Sequence, residues 1–120
     1  MNGALCMSKR GDREFLLDIN EAIKRIGEYT DAMSYEVFLR DTKTQDAVVR
    51  NIEIIGEAVK NLSGGLKEKH KEISWKDIAG MRDKIVHFYF GIRWELVWSV
   101  VNDKLPELLP KIETMIKQQR

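Results

Sequence analysis

Apolar residues recur every three or four positions along most of this chain. From Asp12 onward Phe15, Leu16, Ile19, Ala22, Ile23 and Ile26 form one such series, with charged residues between them. That spacing predicts an amphipathic helix with a single buried stripe. The stretch TDAMS interrupts it. Ser34 is placed to cap a short turn carrying Tyr35, Phe38 and Leu39, and Asp41 or Thr42 to cap the next segment. A second long helix is predicted from about Lys43 to Leu62 on the stripe Val48, Ile52, Ile55, Val59 and Leu62, with Gly56 allowing a neighbouring backbone to come close. Ser63-Gly64-Gly65 is expected to end it through the left-handed conformation that glycine tolerates. The following LKEKHKEI reads as a solvated connector. Ser74 with Asp77 resembles a capping box and opens a third helix through Trp75, Ile78, Met81 and Ile85. Gly91 breaks the pattern before a last helical region from about Arg93 to Lys117, which Pro106 and Pro110 are expected to bend or divide. Without an alternating strand pattern, an internal repeat or a low-complexity tract, the reading is all-α: an antiparallel bundle of four to five helices.

Length and charge narrow the function classes. The 120 residues divide into a loose tail over residues 1–10 and one domain over 11–120, long enough to bury about two-thirds of its unfolded surface. Met7 is an alternative start. Twenty basic against nineteen acidic residues leave a net charge of +1, so no global field attracts nucleic acid or membrane and any anion site is local. The single cysteine, Cys6, excludes an internal disulfide framework and fits a reducing cytoplasm. No apolar run is long enough to span a membrane, and the opening MNGALCM is too short for a signal segment. A cytoplasmic protein with no membrane partner is expected.

The chemistry concentrates in MRDKIVHFYF, Met81 to Phe90. On a helical wheel Trp75, Ile78, Ala79, Met81, Ile85 and Val86 share one broad face, and Arg82 falls in its middle. A guanidinium keeps its charge, so a buried one requires an anion. Two readings are open: an internal ion pair with Glu53, Glu57 or another carboxylate, or a cleft wall where the anion is a substrate phosphate held in a bidentate manner. His87 lies five residues on, about 140° around an ideal helix. Asp83 precedes His87 by four residues, a spacing that on a continuous helix sets its carboxylate beside the imidazole as in a general acid/base pair. Tyr89 adds a hydroxyl near the same end. The bland alternatives are a helix-end histidine capping carbonyls and a tyrosine anchoring the bundle edge.

Other candidates are weaker. His70, inside KEKHKE, reads as solvated. Two distant histidines without clustered cysteines make no zinc motif, so no metal or other cofactor is expected. Gly64-Gly65 lacks the lysine of a phosphate-binding loop. Trp94 and Trp98, at i and i+4, read as core or subunit contact, and Ser74 has no base at a fixed spacing.

Arg82, four residues, His87, one residue, Tyr89 resembles the signature of HepT-like HEPN-domain toxins, the ribonuclease partners of MntA-type minimal nucleotidyltransferases. The flanks RNIEIIGEAVKNL, WKDIAGMRDKIVHFYFGI and DKLPELLPKIE are similar to that family as well, so the resemblance covers about residues 12–117. It implies a helical bundle that forms a homodimer, with the Arg82 and His87 of both subunits meeting in a cleft. It further implies metal-independent RNA cleavage, with Arg82 and His87 catalytic and Asp83, the polar residue after the motif arginine, in a supporting role. Tyr89 matches the tyrosine that the partner nucleotidyltransferase antitoxin adenylylates. The alternative is a non-catalytic, nucleotide-binding or scaffolding HEPN partner of such an enzyme.

Overall fold

The computed structural model describes residues 10–87 and 91–119, with the side chains of Val86 and His87 outside that description. Helix α1, Asp12–Tyr29, starts where the Gly11 N–H donates to the Glu14 carboxylate at 2.9 Å. That bond holds the Glu14 carboxyl below its ordinary pKa. After a turn through Ala32, whose φ is +58°, Ser34 caps α2, Tyr35–Arg40, its Oγ accepting from the Val37 N–H at 3.2 Å. Asp41 caps α3, Thr42–Asn61, accepting from the Thr44 N–H at 3.0 Å. Both caps and both long stripes follow the pattern of the sequence.

The junction after α3 differs from expectation. Leu62 is extended, and Ser63 begins a new short helix, α4 (Gly64–Lys69), by accepting from the Leu66 N–H at 3.2 Å. The glycines are therefore helical, and the supposed solvated connector buries Leu66. A long-range contact explains the change: the N–H and hydroxyl of Ser63 both donate to the Asp12 carboxylate, at 2.8 and 2.6 Å. The start of α1 is thereby pinned to the end of α3, so the two run antiparallel. Ser74 occupies the N-cap position of α5, Trp75–Ala79, without a side-chain capping bond. Asp77 instead meets Lys84 at 3.4 Å.

The third helix also breaks at Gly80. Its second piece, α6, covers only Met81–Ile85, and Val86–His87 (β1) pairs antiparallel with Gly91–Ile92 (β2). Val86, β-branched, favours extended backbone over helix. Gly91 closes the pairing with φ +79°, a conformation glycine adopts without steric cost. This two-residue ladder is the only departure from helix pairing among the described strands and helices.

The last region holds α7, Trp94–Ser99, then a wider π turn over Val100–Lys104, then α8, Leu105–Gln118. Pro106 cannot donate to the turn before it. The chain absorbs this by a π bond from the Leu105 N–H to Val100 O, while Pro110 stays inside α8. The core is built from α1 packed on α3 and α8. Leu16, Ile19, Ile26, Ile52, Ile55, Ile112 and Met115 are almost wholly buried, each contributing about 1.5–3 kcal/mol. Phe38 stands between the tryptophans, 5.7 Å edge-on to Trp94 and 4.9 Å from Trp98, so both, partly buried, pack against the core. Among the described residues no helix is long and apolar enough to cross a membrane.

Candidate active site

One glycine sets the register of the site. A Cβ added at Gly56 on α3 would lie 3.1 Å from the carbonyl oxygen of Ala79 at the end of α5. The close approach anticipated from the sequence is therefore real. Three residues earlier on α3 stands Glu53, and three residues after Ala79 stands Arg82. The two segments run antiparallel, so equal steps from the glycine contact bring Glu53 opposite Arg82. Arg82 Nε donates to Glu53 Oε2 at 3.0 Å. Glu53 Oε1 is 3.9 Å from Arg50, one turn back on α3.

Arg82 is not the buried cation that the helical wheel predicts. Its side chain is 49% exposed and that of Glu53 35%. The wheel assumes a continuous helix, whereas Gly80 (φ −94°, ψ 5°) offsets α6 from α5 and turns Arg82 outward. Of the two readings, the ion pair with Glu53 is present, and it stands at the surface of a groove. Asp83 is more exposed still and lies 3.5 Å from Arg82. Its helical spacing to His87 does not apply, because α6 ends at Ile85 and the His87 backbone is extended, opposite Gly91. The His87 side chain and all of Tyr89 lie outside the described residues.

The groove beside Arg82 measures about 620 Å³. Its walls carry Arg10, Arg50, Lys60 and Arg82 as cations and Asp18, Glu53, Glu57 and Asp83 as carboxylates. Four charges of each sign give no net basic field, so anion recognition here depends on where individual guanidiniums point. Arg10 is committed to Asp18 and lies over the Phe15 ring at 4.9 Å. Arg50 and Lys60 were not singled out from the sequence. The signal was present, since Arg50, Glu53, Glu57 and Lys60 recur at helical spacing as the polar stripe of α3. A second groove, about 260 Å³, runs between α5–α6 and α7–α8 and is lined by apolar side chains including Ile78, Ile85, Val100 and Leu108. His70 ends α4 and is largely covered, its Nδ1 3.6 Å from Glu72 and its carbonyl accepting from the Trp75 indole at 3.0 Å. Among the described residues no three His, Cys, Asp or Glu side chains are grouped to hold a metal ion.

Residues 19–115 match the family model described as Ribonuclease HepT-like. The chain belongs to the HepT-like ribonuclease family. It is 46% identical to the "Probable ribonuclease HepT" of Thermococcus cleftensis over 109 residues, covering 91% of this chain and 99% of that one. It is likewise 46% identical to "Putative RNase MJ0127" of Methanocaldococcus jannaschii over 111 residues, 92% of each chain. With "Putative RNase TTE0752" of Caldanaerobacter subterraneus it shares 38% over 108 residues, 90% of this chain and 96% of the other. No solved structure matches it. As a HepT-like HEPN chain it has the helical bundle the sequence predicts, and the matched span contains both the groove stripe of α3 and the whole of Arg82–Tyr89.

Proposed function

We propose that this chain is a metal-independent RNA endonuclease, the toxin of a toxin–antitoxin pair whose nucleotidyltransferase partner silences it by adenylylating Tyr89. The observation that carries this reading is Arg82, half-exposed at the groove with its Nε held by Glu53, in a chain of the HepT-like ribonuclease family. The reaction is an internal transesterification. A base removes the ribose 2′-hydroxyl proton, the 2′-oxygen bonds to the adjacent phosphorus, and the bond to the 5′-oxygen breaks as that oxygen takes a proton. The products are a cyclic phosphate end and a 5′-hydroxyl end.

His87 is the proton-transfer group, since imidazole titrates near neutral pH. Arg82 binds the phosphate and opposes the charge that grows on its oxygens. One chain supplies one motif histidine, whereas base and acid roles together call for two. A homodimer that places two copies of Arg82 and His87 in a common cleft meets that need. Adenylylation forms a bond from the Tyr89 oxygen to the α-phosphorus of ATP and releases pyrophosphate. The attached group carries one negative charge, which competes for Arg82 and repels substrate phosphate.

The test is RNA cleavage by purified chain in EDTA. Arg82→Ala is expected to lower the rate about 100-fold or more, and His87→Ala about 100- to 10,000-fold, with helicity kept. Tyr89→Phe is expected to retain cleavage and to gain no AMP mass when treated with a cognate nucleotidyltransferase and ATP. Cleavage untouched by Arg82→Ala or His87→Ala overturns the assigned roles. Absence of cleavage in the wild type favours a scaffolding partner.

A further inference from the structure

We infer that Glu53 is a positioning residue for Arg82, holding its Nε so that the two terminal amino groups meet the substrate phosphate end-on. The inference rests on the reading of Arg82 as the phosphate-binding group. Guanidinium offers two bidentate edges to a phosphate: the side formed by Nε with one terminal nitrogen, or the end formed by both terminal nitrogens. Glu53 Oε2 takes the Nε–H at 3.0 Å and so removes the side edge. Asp83, 3.5 Å from one terminal nitrogen, is 77% exposed and free to give way when a phosphate arrives. Among the described residues no other side chain meets the end edge, which is left for the ligand.

The position of Glu53 is itself fixed. It stands on the twenty-residue helix α3, one turn from the point where Gly56 meets the Ala79 carbonyl. Arg82, by contrast, sits on the five-residue α6, next to the break at Gly80. A long side chain on a short helix has many rotamers, and a contact from a rigid helix selects one of them. The pair is too exposed to add much to folding stability. Its effect therefore falls on the geometry of the reaction.

Two measurements decide this. In the wild type, the Nε–H resonance of Arg82, assigned by its loss in Arg82→Lys, is expected to be resolved and slow to exchange with water. It is expected to persist in Glu53→Gln, whose amide oxygen still accepts, and to merge with the mobile arginines in Glu53→Ala. In RNA cleavage, Glu53→Ala is expected to lower kcat roughly 10- to 100-fold with KM little changed, the scale of a misplaced catalytic group. Glu53→Gln is expected to restore most of that loss, and the unfolding midpoints of both variants to match the wild type. A fast-exchanging Arg82 Nε–H in the wild type overturns the proposal. So does unchanged kcat in Glu53→Ala, or a lower KM, which would make Glu53 a competitor of the phosphate. If the wild type cleaves no RNA, the proposed function falls, and the resonance still reports separately whether Glu53 holds Arg82.

Discussion

Replacing Gly56 by alanine tests the contact that sets the site's register, and Gly27→Ala is the natural control. Both glycines lie in long helices. Nothing lies within 4 Å of a Cβ added at Gly27, whereas one at Gly56 meets the Ala79 carbonyl oxygen at 3.1 Å and that of Ile78 at 3.7 Å. Alanine in place of an unobstructed helical glycine gains up to about 1 kcal/mol. Gly27 is close to the end of α1, so about 0.5–1 kcal/mol is expected there. At Gly56 the same gain is opposed by a clash roughly 0.3 Å inside comfortable contact. The obstructing atoms are backbone carbonyls, which cannot rotate aside, so α5 has to move away from α3. Overpacking of that kind costs about 1–3 kcal/mol, leaving a net loss of about 0–2 kcal/mol. The two variants should therefore differ by about 0.5–3 kcal/mol, read from urea unfolding followed by circular dichroism at equal protein concentration. A Gly56→Ala protein stabilised as much as Gly27→Ala would refute the close approach and, with it, the register that places Glu53 opposite Arg82.

Phe38→Ala should cost about 3–5 kcal/mol and red-shift the tryptophan emission, because Phe38 fills the space between Trp94 and Trp98. Ser34→Ala should cost about 0.5–1 kcal/mol by leaving the Val37 N–H without its cap. Arg82→Ala should change stability by less than about 1 kcal/mol, since the pair with Glu53 is half-exposed; a larger loss would mark Arg82 as a structural residue. Acid sensitivity is expected from Asp41, whose carboxyl is held below its ordinary value of 3.8 by the Thr44 N–H. Its pKa is lower folded than unfolded, so its contribution is complete above the ordinary value and is lost as pH falls through the folded one. Asp41→Asn, which keeps a capping oxygen but does not titrate, should show a shallower fall of the urea midpoint in that acid range.

The parts of this fold that were legible in the sequence are those decided within one helix. The stripes of α1 and α3, the caps at Ser34 and Asp41, and the room left by Gly56 depend on spacing alone. Ser63 misled because its partner, Asp12, is far away in the chain: a glycine pair that reads as a stop became the first turn of α4 once Asp12 anchored the serine. The fate of Arg82 depended on Gly80. A wheel drawn through an unbroken helix buries the arginine, and the offset at the glycine exposes it. The β-branched pair Ile85-Val86 carried its own warning where α6 ends, but both residues also fit the helical period. The groove needed tertiary packing, because the α3 stripe becomes a wall only when α6 comes to rest beside it.

In the proposed reaction the side chains of this chain, Arg82 foremost, carry RNA through attack by its own 2′-hydroxyl. The most direct measurement is mass spectrometry of the ends made from an RNA oligonucleotide in EDTA, alongside the same strand with 2′-deoxyribose at the cut position. A cyclic phosphate and a 5′-hydroxyl are expected from the RNA, and no cut at the deoxy position. Uncut RNA, ends bearing a 5′-phosphate, or cleavage of the deoxy strand at that position would contradict it.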